Sequence, residues 1–482
     1  MKKKLLQILC LSGVASVCFA NTLFSIVPTT NPVTVRSDGY AVARYTVRNT
    51  GGNTYSNITT PALNVSGASI QSLDNTCAGA SLAVGASCNF NVLISGATAP
   101  STVRPRVCAA NGVACSTANS ANILAVDVTQ VSQAYAYLPI ITETGNSANK
   151  IVPVNIASPY AIGTGAGNNY TFTENIDSTG YNADFVSQNG QYVYAIDNPP
   201  QETSPDLIIL EVTSSGLIQL SKTPIGSTSS KSYAIVVNST GTRAYISDVI
   251  SGNILVENIS NKRTPTAMTS INLGLGGAET YVYGMAITPD NSTLYATDVF
   301  QDKIYILNVA NDVNQLAATL TDLYHPLGVV VSPDGTKVYI TNNGSSGYPL
   351  DIIDRTASTP ALQNQTIQGL TNDDKPSGLA LSADGTQIYV VGEAANAVYT
   401  VNASSSVGST LTLANTTNDV GFYPQGIAIS PDGSNLYVTE FYGNSQQTSN
   451  TVLYILNAIT GAIVGQSASL GGRSTPLSNF VG

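Results

Sequence analysis

Side chains that could do chemistry recur at two fixed positions in the last two thirds of this chain. The first position is the residue just before each apolar run of the type "GVVVSPDG", and the second is the residue just after the next apolar run. Along the chain, the first position reads Gly180, Lys231, Tyr281, His325, Lys375, Tyr423 and Thr475. The second reads Ile140, Asp197, Asp248, Asp298, Asn342, Gly392 and Glu440. This concentration of polar groups is notable because only 10% of the residues are charged.

Three hypotheses follow for these groups. They could pair with one another and hold neighbouring segments in register. Alternatively, Lys231, His325 and Lys375 could hold an anionic group while Tyr281 and Tyr423 stack on a sugar or another ring, which makes these five residues a candidate ligand site. Catalysis would require a carboxylate or histidine that activates water and a cation that holds the developing oxyanion. The candidates for catalysis are Asp298, His325, Lys375 and Glu440.

Familiar catalytic motifs are absent from the sequence. There is no phosphate-binding loop with its lysine, no nucleophile elbow and no zinc-protease helix. A single histidine also argues against a multi-histidine metal centre. We therefore expect neither a metal nor another cofactor.

The two positions belong to an internal repeat. Its most regular feature is a tyrosine in a second apolar run, as in "VYITNN" and "LYVTEF", and these tyrosines are 44 to 51 residues apart. They are Tyr194, Tyr245, Tyr295, Tyr339, Tyr389 and Tyr437. Pro and Gly in the "SPDG" segment before each tyrosine suit a tight turn between two strands. Each unit thus predicts four antiparallel strands, which is the pattern of a propeller blade.

A seventh blade is predicted from the two ends of the repeat region. "AYAYLPI", which contains Tyr137, and "KIVPVNI" supply a second and a third strand without a first. The segment "STPLSNFVG", residues 474–482, resembles the missing first strand. Pairing of these ends would close the ring without leaving exposed sheet edges. We predict an all-β chain with a seven-bladed β-propeller over residues 134–482.

The repeat "GxxxSPDGxxxYVTN" resembles the YVTN-type β-propeller repeat of bacterial and archaeal secreted or surface proteins. "GIAISPDGSNLYVTE" matches it most closely, whereas "ADFVSQNGQYVYAID" departs from it most. The absence of Trp excludes the WD signature of another propeller family. This resemblance implies a non-enzymatic extracellular protein that binds a protein or glycan partner through its loops or channel mouth.

The seven-bladed lactonases share this style of repeat and imply the alternative function. In that case the chain is a hydrolase acting on a small lactone or ester at the channel mouth. This alternative rests on the similarity of fold, because no catalytic signature accompanies it.

Residues 21–130 form a different domain, joined to the repeats by a linker at residues 129–133. "NTCAGASLAVGASCNFNVLISG" resembles a motif of Ig-like sandwich domains in bacterial envelope proteins, so we predict an Ig-like β-sandwich. In an oxidising compartment its four cysteines are expected to form disulfides. The simplest of the three pairings joins Cys77 to Cys88 and Cys108 to Cys115.

The first twenty residues predict a secretory signal peptide. "MKKK" precedes an apolar run and the small-residue segment "CFA", so we expect cleavage after Ala20. Lipidation of Cys18 is the alternative, although Val17 fits such a site poorly. The formal net charge of −10 argues against nucleic acid as a partner. We expect a monomer without a membrane span that acts in the periplasm, at the cell surface or outside the cell.

Overall fold

In the described residues of the N-terminal part of the chain, three small β-sheets surround one hydrophobic core. Strands β1, β3, β5 and β4 form the first sheet, parallel β2 and β9 with β6 the second, and β7 and β8 a hairpin. The strands are β1 Phe24–Pro28, β2 Val33–Arg36, β3 Tyr40–Asn49, β4 Ala68–Ile70, β5 Ser87–Ser95, β6 Thr102–Val103, β7 Arg106–Ala109, β8 Ala114–Thr117 and β9 Leu124–Thr129. The Ig-like assignment of this region and its boundaries stay predictions.

Two disulfides hold this region together, and they have the pairing that the sequence favoured. Cys77 is bonded to Cys88, and Cys108 is bonded to Cys115 across the hairpin of β7 and β8. Both Cys77 and Cys88 are buried in the hydrophobic core. The disulfides therefore act as structural cross-links and not as reactive thiols.

Seven further sheets follow, six of them built from consecutive strands. The first four sheets contain β10 Tyr135–Ile141, β11 Lys150–Asn155 and β12 Tyr170–Thr171; β13 Val186–Gln188, β14 Tyr192–Asp197, β15 Asp206–Thr213 and β16 Gly216–Pro224; β17 Ile235–Val237, β18 Arg243–Asp248, β19 Asn253–Asn258, β20 Thr266–Ala267 and β21 Ile271–Asn272; and β22 Val282–Ile287, β23 Thr293–Asp298, β24 Lys303–Asn308 and β25 Gln315–Leu320.

The other three sheets contain β26 Pro326–Val331, β27 Lys337–Asn342, β28 Leu350–Asp354 and β29 Leu362–Gln365; β30 Pro376–Leu381, β31 Gln387–Gly392, β32 Ala397–Asn402 and β33 Leu413–Asn418; and β34 Phe422–Ile429, β35 Asn435–Tyr442, β36 Leu453–Asn457 and β37 Ile463–Gln466. A last strand, β38 Arg473–Ser474, pairs with β10 of the first sheet. Among the described residues, three short 3₁₀ helices lie at Ser120–Asn122, Ala310–Asp312 and Asn372–Asp374.

The structure is a computed structural model. It describes residues 23–29, 32–36, 40–59, 61–63, 65–70, 75–95, 99–109, 114–129, 135–141, 150–155, 170–171, 186–188, 191–198, 204–213, 216–228, 230–275, 280–403, 410–430, 433–442, 452–467 and 473–474. The predicted signal peptide, most of the linker, Gly180 and Thr475 lie outside these residues. No helix in the described ranges is long and apolar enough to cross a membrane.

The repeat tyrosines all lie in the second strand of a sheet, as predicted. The six tyrosines of the second to seventh sheets are each at most 3% exposed, because each second strand is covered on both faces by neighbouring sheets. Apolar side chains of successive sheets pack into shared clusters from the first sheet to the seventh. Ile140 of the first sheet pairs with Ser474, the first residue of the segment predicted to close the ring, and β38 lies beside β35 of the seventh sheet. Closure of the ring by residues 474–482 stays a prediction.

The "SPDG" segment forms a turn in which aspartate does more than the sequence suggested. Gly335 takes the expected positive φ of 72°. The Asp334 carboxylate accepts hydrogen bonds from the Ser332 hydroxyl at 2.6 Å and the Thr336 amide at 3.0 Å. On its other oxygen, Asp334 forms an ion pair with Arg44 at 3.7 Å and accepts a hydrogen bond from Asn91 at 3.3 Å. This turn is therefore also a contact with the N-terminal region.

First strands of successive sheets lie side by side, and a threonine joins them. In the fourth sheet, the Thr297 hydroxyl accepts the Gly284 N–H at 3.1 Å and donates to the Leu327 carbonyl of the next sheet at 2.8 Å. Thr341 repeats this arrangement with the Gly328 N–H at 3.0 Å and the Ser377 carbonyl. The hydroxyl is needed because the pairing of the first strand with the second strand is irregular at the glycine, where a backbone partner is missing.

Glycine is required beside this threonine because the sheets approach each other closely. A Cβ atom on Gly328 would lie 2.7 Å from the Ser377 carbonyl oxygen of the next sheet. Such a contact is too short for any side chain, so the backbone would have to shift. The G of "GVVVSPDG" and the T of "YVTN" are thus two halves of one contact between blades.

Replacing Thr341 with Val should lower the free energy of unfolding by about 2 kcal/mol, because it leaves a buried N–H and a buried carbonyl without their hydroxyl partner. Thr341→Ser, which keeps the hydroxyl, should cost clearly less. Urea unfolding of both variants measures the difference. Equal losses in the two variants would show that packing, and not the hydrogen bonds, is what matters at this position.

Candidate active site

The five predicted site residues lie at one end of the sheets, at or before the start of a first strand. The turns between second and third strands lie at the same end, because first and second strands are antiparallel. This end of the sheets is named the mouth face. The "SPDG" turns, and with them the contact to Arg44, lie at the opposite end. The described residues of the two repeat positions therefore lie at the same end of the sheets, and their role as a ligand site stays a prediction.

Three of the five residues have a left-handed backbone conformation. The φ angle is 49° at His325, 55° at Lys375 and 51° at Tyr423. This conformation turns the His325 N–H toward Asp302 at 2.7 Å and the Tyr423 N–H toward Asn396 at 3.0 Å. Asp302 and Asn396 each belong to the preceding blade. At these positions the backbone therefore joins adjacent blades, whatever the side chain does.

The buried carboxylates of the second position hold backbone amides. Asp298 is fully buried and accepts the N–H groups of Tyr281, Phe300 and Gln301, each at 3.2 Å. Glu440 is 3% exposed and accepts Phe422 N–H on one oxygen and Val452 N–H on the other, both at 2.8 Å. Burial raises the pKa of both carboxyls despite these bonds.

These contacts change the sequence-based hypothesis of catalysis by Asp298 or Glu440. Their oxygens accept backbone N–H groups of their own blades, and neither side chain is accessible to a substrate. Asp248 has a similar structural role, since it accepts hydrogen bonds from the Ser230 and Ser251 hydroxyls at 2.8 and 2.6 Å. Asp197 forms an ion pair with Lys222 at 3.2 Å. These carboxylates therefore have a structural role, as the first of the three hypotheses proposed. Their partners lie within their own blade and not in a neighbouring one.

A carboxylate that the sequence reading missed lies nearer the surface. Glu393 follows Gly392 directly and is partly exposed. One of its oxygens accepts the Asn343 side-chain amide at 3.2 Å, and the other accepts the Gln425 amide at 3.0 Å. Asn343 comes from the fifth blade and Gln425 from the seventh. Glu393 escaped notice because it lies one residue beyond the position at which the blades were compared.

Lys375 is the predicted site residue that the structure brings to Glu393. Its ammonium group donates to the Asn343 carbonyl at 3.2 Å and to the Ser345 hydroxyl at 3.0 Å. Burial raises the pKa of Glu393, whereas the two amides and the charge of Lys375 lower it. The result is a carboxyl with a pKa above its usual range, held in place by three blades and accompanied by a cation.

An aromatic group occupies the third and fourth blades of the same face. The Tyr233 and Tyr283 rings stack at 5.5 Å, and Tyr281 lies 5.9 Å from Tyr233. Phe300 packs edge-on against Tyr281 at 4.3 Å. Tyr281 is thus brought together with aromatic residues, whereas Lys231, His325 and Tyr423 have exposed side chains at other points of the face. Reading the residue two places after the first position would have found Tyr233, Tyr283 and Gln425.

The seven sheets correspond to a known protein family. Residues 178–474, more than half of the chain, match the family model described as lactonase, 7-bladed beta-propeller. The chain belongs to this lactonase family. Membership favours the hydrolase alternative over the non-enzymatic binder. The narrower resemblance to YVTN-type repeat proteins stays a prediction.

Solved structures support the same fold for this lactonase-family chain. A protein from Lactobacillus plantarum has a TM-score of 0.56 at 16% identity, covering 71% of this chain and 98% of its own. The periplasmic gluconolactonase of Pseudomonas aeruginosa has a TM-score of 0.54 at 15% identity, with 71% and 98% covered. A candidate 6-phosphogluconolactonase from Bacteroides fragilis has a TM-score of 0.53 at 17% identity, with 71% and 97% covered. No curated protein matches the chain.

In the fifth blade of this lactonase-family propeller, the buried carboxyl belongs to the third strand and not to the second. Blade four pairs Asp298 with the Tyr305 hydroxyl at 3.3 Å, whereas blade five pairs the Asn342 amide with the Asp351 carboxylate at 2.7 Å. Asp351 is 2% exposed, and its other oxygen has no hydrogen-bond partner among the described residues. Burial raises the pKa of Asp351 to about 6. In the folded protein the carboxyl therefore keeps its proton to a higher pH than in the unfolded chain.

Asp351→Asn should therefore alter how stability depends on pH. A folded-state pKa above the unfolded value means that the wild-type protein loses stability as the pH rises from about 4 to about 6, by at most about 3 kcal/mol. The amide of the variant does not titrate, so its stability relative to wild type should rise across this interval. Urea unfolding at pH 4 and pH 7 tests this. A constant difference between the two proteins would contradict the expectation.

Proposed function

We propose that this protein hydrolyses a lactone at the mouth face, with Glu393 as the general base. The observation that carries the proposal is the position of Glu393: a partly exposed carboxylate, held by amides of two neighbouring blades, beside Lys375. Membership of the lactonase family supports the reaction class. Two similar structures are described as a gluconolactonase and a candidate 6-phosphogluconolactonase, so a sugar lactone is the substrate class that we propose.

Ester hydrolysis by this route is balanced without a cofactor. Glu393 accepts a proton from water, and the water oxygen attacks the lactone carbonyl carbon. The ammonium group of Lys375 stabilises the negative charge that develops on the carbonyl oxygen. Collapse of the tetrahedral intermediate breaks the bond to the ring oxygen, which takes the proton back from Glu393. The product is the open hydroxy acid.

The hydrogen bonds of Glu393 suit this role. Amides of Asn343 and Gln425 fix the position of the carboxylate without adding charge. These hydrogen bonds lower its pKa, but the effect of burial is larger. Burial raises its pKa, which makes it a better proton acceptor than an exposed glutamate. The residues that fix it come from blades five and seven, so the site depends on the register of three blades.

We also propose that the protein acts outside the cytoplasm. The predicted signal peptide and the two disulfides support an oxidising compartment. A monomer without a nucleic-acid partner stays our expectation.

Glu393→Gln should lower kcat by about 10²- to 10⁴-fold on a lactone that the wild-type protein hydrolyses, because the variant has no proton acceptor. Turnover of D-glucono-1,5-lactone and related lactones, followed by acid release, measures this. Asp373→Asn, which changes an exposed carboxylate nearby, is the control and should keep wild-type turnover. Full activity of Glu393→Gln would refute the assignment.

Lys375→Met should move the acid limb of the pH profile of kcat/KM to higher pH. The positive charge of Lys375 lowers the pKa of Glu393, so its removal raises the pH at which the base ionises. Arg263→Met, on an exposed residue of the third blade, is the matched loss of a cation and should leave the limb in place. An unshifted limb in Lys375→Met would mean that another group titrates.

A further inference from the structure

The exposed aromatic side chains of the described chain all lie on the mouth face. They are Phe300, Tyr324, Tyr348 and Tyr423, with 62%, 40%, 40% and 37% of their surface exposed. Phe300 and Tyr348 belong to turns between second and third strands, and Tyr324 and Tyr423 to the approach to first strands. Large exposed aliphatic residues of the blades lie elsewhere: Val313 and Ile459 in turns of the opposite face, and Ile218, Ile463 and Val464 on outer strands.

One of these exposed residues, Phe300, continues the group of tyrosines in blades three and four. From the stacked pair of Tyr233 and Tyr283, contacts run through Tyr281 to Phe300 at the outside. The row therefore extends from the first strands of blades three and four to the solvent. Tyr233 and Tyr283 occupy the position of the repeat that Gln425, a hydrogen-bond partner of Glu393, occupies in the seventh blade, so the row begins at the equivalent position of the mouth face.

The exposed aromatic residues at the edge of the mouth face are named the aromatic rim. On the fifth blade, packing fixes the position of one of them. The ring of Tyr324 packs on the turn between β27 and β28, where Gly344 and Gly347 make room for it. A Cβ atom on Gly344 would lie 2.9 Å from the Cβ atom of Tyr324. Tyr348 belongs to the same turn. Aromatic side chains with few rotatable bonds and fixed positions bind at low cost in conformational entropy.

The charge of the chain indicates which ligand suits such a rim. The formal net charge is −10, so an anionic polymer is disfavoured. Lys375, the cation whose charge lowers the pKa of Glu393, already donates to Asn343 and Ser345. Flat aromatic faces with hydroxyl groups at their edges suit the apolar faces and hydroxyls of neutral sugar rings.

We propose that the mouth face binds a neutral oligosaccharide, so that the substrate is a lactone at the end of a short sugar chain. This inference rests on the proposed function for its catalytic part and on the aromatic rim for its binding part. The lactone ring lies at Glu393, and the following sugar rings lie on the row from Tyr283 and Tyr281 to Phe300. A monosaccharide lactone would leave the outer part of that row uncovered.

Two sets of measurements test the inference. Kinetics compare D-glucono-1,5-lactone with the lactones of cellobionic and maltobionic acid. Calorimetry with cellotetraose and maltotetraose, which carry no lactone, measures binding alone. We expect a KM about fivefold to tenfold lower for a disaccharide lactone, and measurable binding of a tetrasaccharide. Phe300→Ala should remove most of that advantage, whereas Val313→Ala, an exposed residue of the opposite face, should keep it.

The outcomes separate this inference from the proposed function. Equal KM values for mono- and disaccharide lactones, together with no tetrasaccharide binding, would overturn the inference while leaving lactone hydrolysis intact. Tetrasaccharide binding that Phe300→Ala weakens, without turnover of any lactone, would support the rim and refute the proposed reaction. A tetrasaccharide affinity that Phe300→Ala leaves unchanged would also overturn the inference.

Discussion

The hydrogen bond from a threonine hydroxyl to the first strand of the next blade is the contact on which the arrangement of the site depends. At Thr297 and Thr341 one hydroxyl serves two blades, because it accepts a glycine N–H of its own blade and donates to a carbonyl of the next. The glycine lets the two backbones come close enough for this bond. First strands are thereby held at a fixed spacing, and the residues just before them take up fixed positions around the mouth.

Glu393 shows why this spacing matters for chemistry. Its two hydrogen bonds come from side chains of the blades on either side, and Lys375 stands at the start of its own blade. A small shift of one blade would separate the carboxylate from an amide or from the cation. The blades share one geometry, and this geometry brings together residues that differ from one repeat to the next. In this way a regular propeller can carry a specific function.

Much of the fold could be predicted from the sequence because it follows from local patterns. The tyrosines of the second strands, the glycine of the "SPDG" turn and the two short disulfide loops each have a physical reason within about ten residues of chain. The site was harder to predict from the sequence, because Glu393 contacts Asn343 and Gln425 only through the packing of three blades. Asp298 and Glu440 attracted attention as carboxylates at the mouth, yet their burial and their backbone partners are properties of the folded chain.

We expect a lactone to bind at the mouth face with its carbonyl between Lys375 and Glu393. The most direct test is a crystal structure of the wild-type protein with gluconolactam, an analogue that keeps the ring and carbonyl of the sugar lactone but resists hydrolysis. We expect a carbonyl oxygen within hydrogen-bond distance of the Lys375 ammonium and a carbonyl carbon facing the Glu393 carboxylate across one water molecule. An analogue bound at the opposite face, or at the mouth with its carbonyl turned away from both residues, would contradict this expectation.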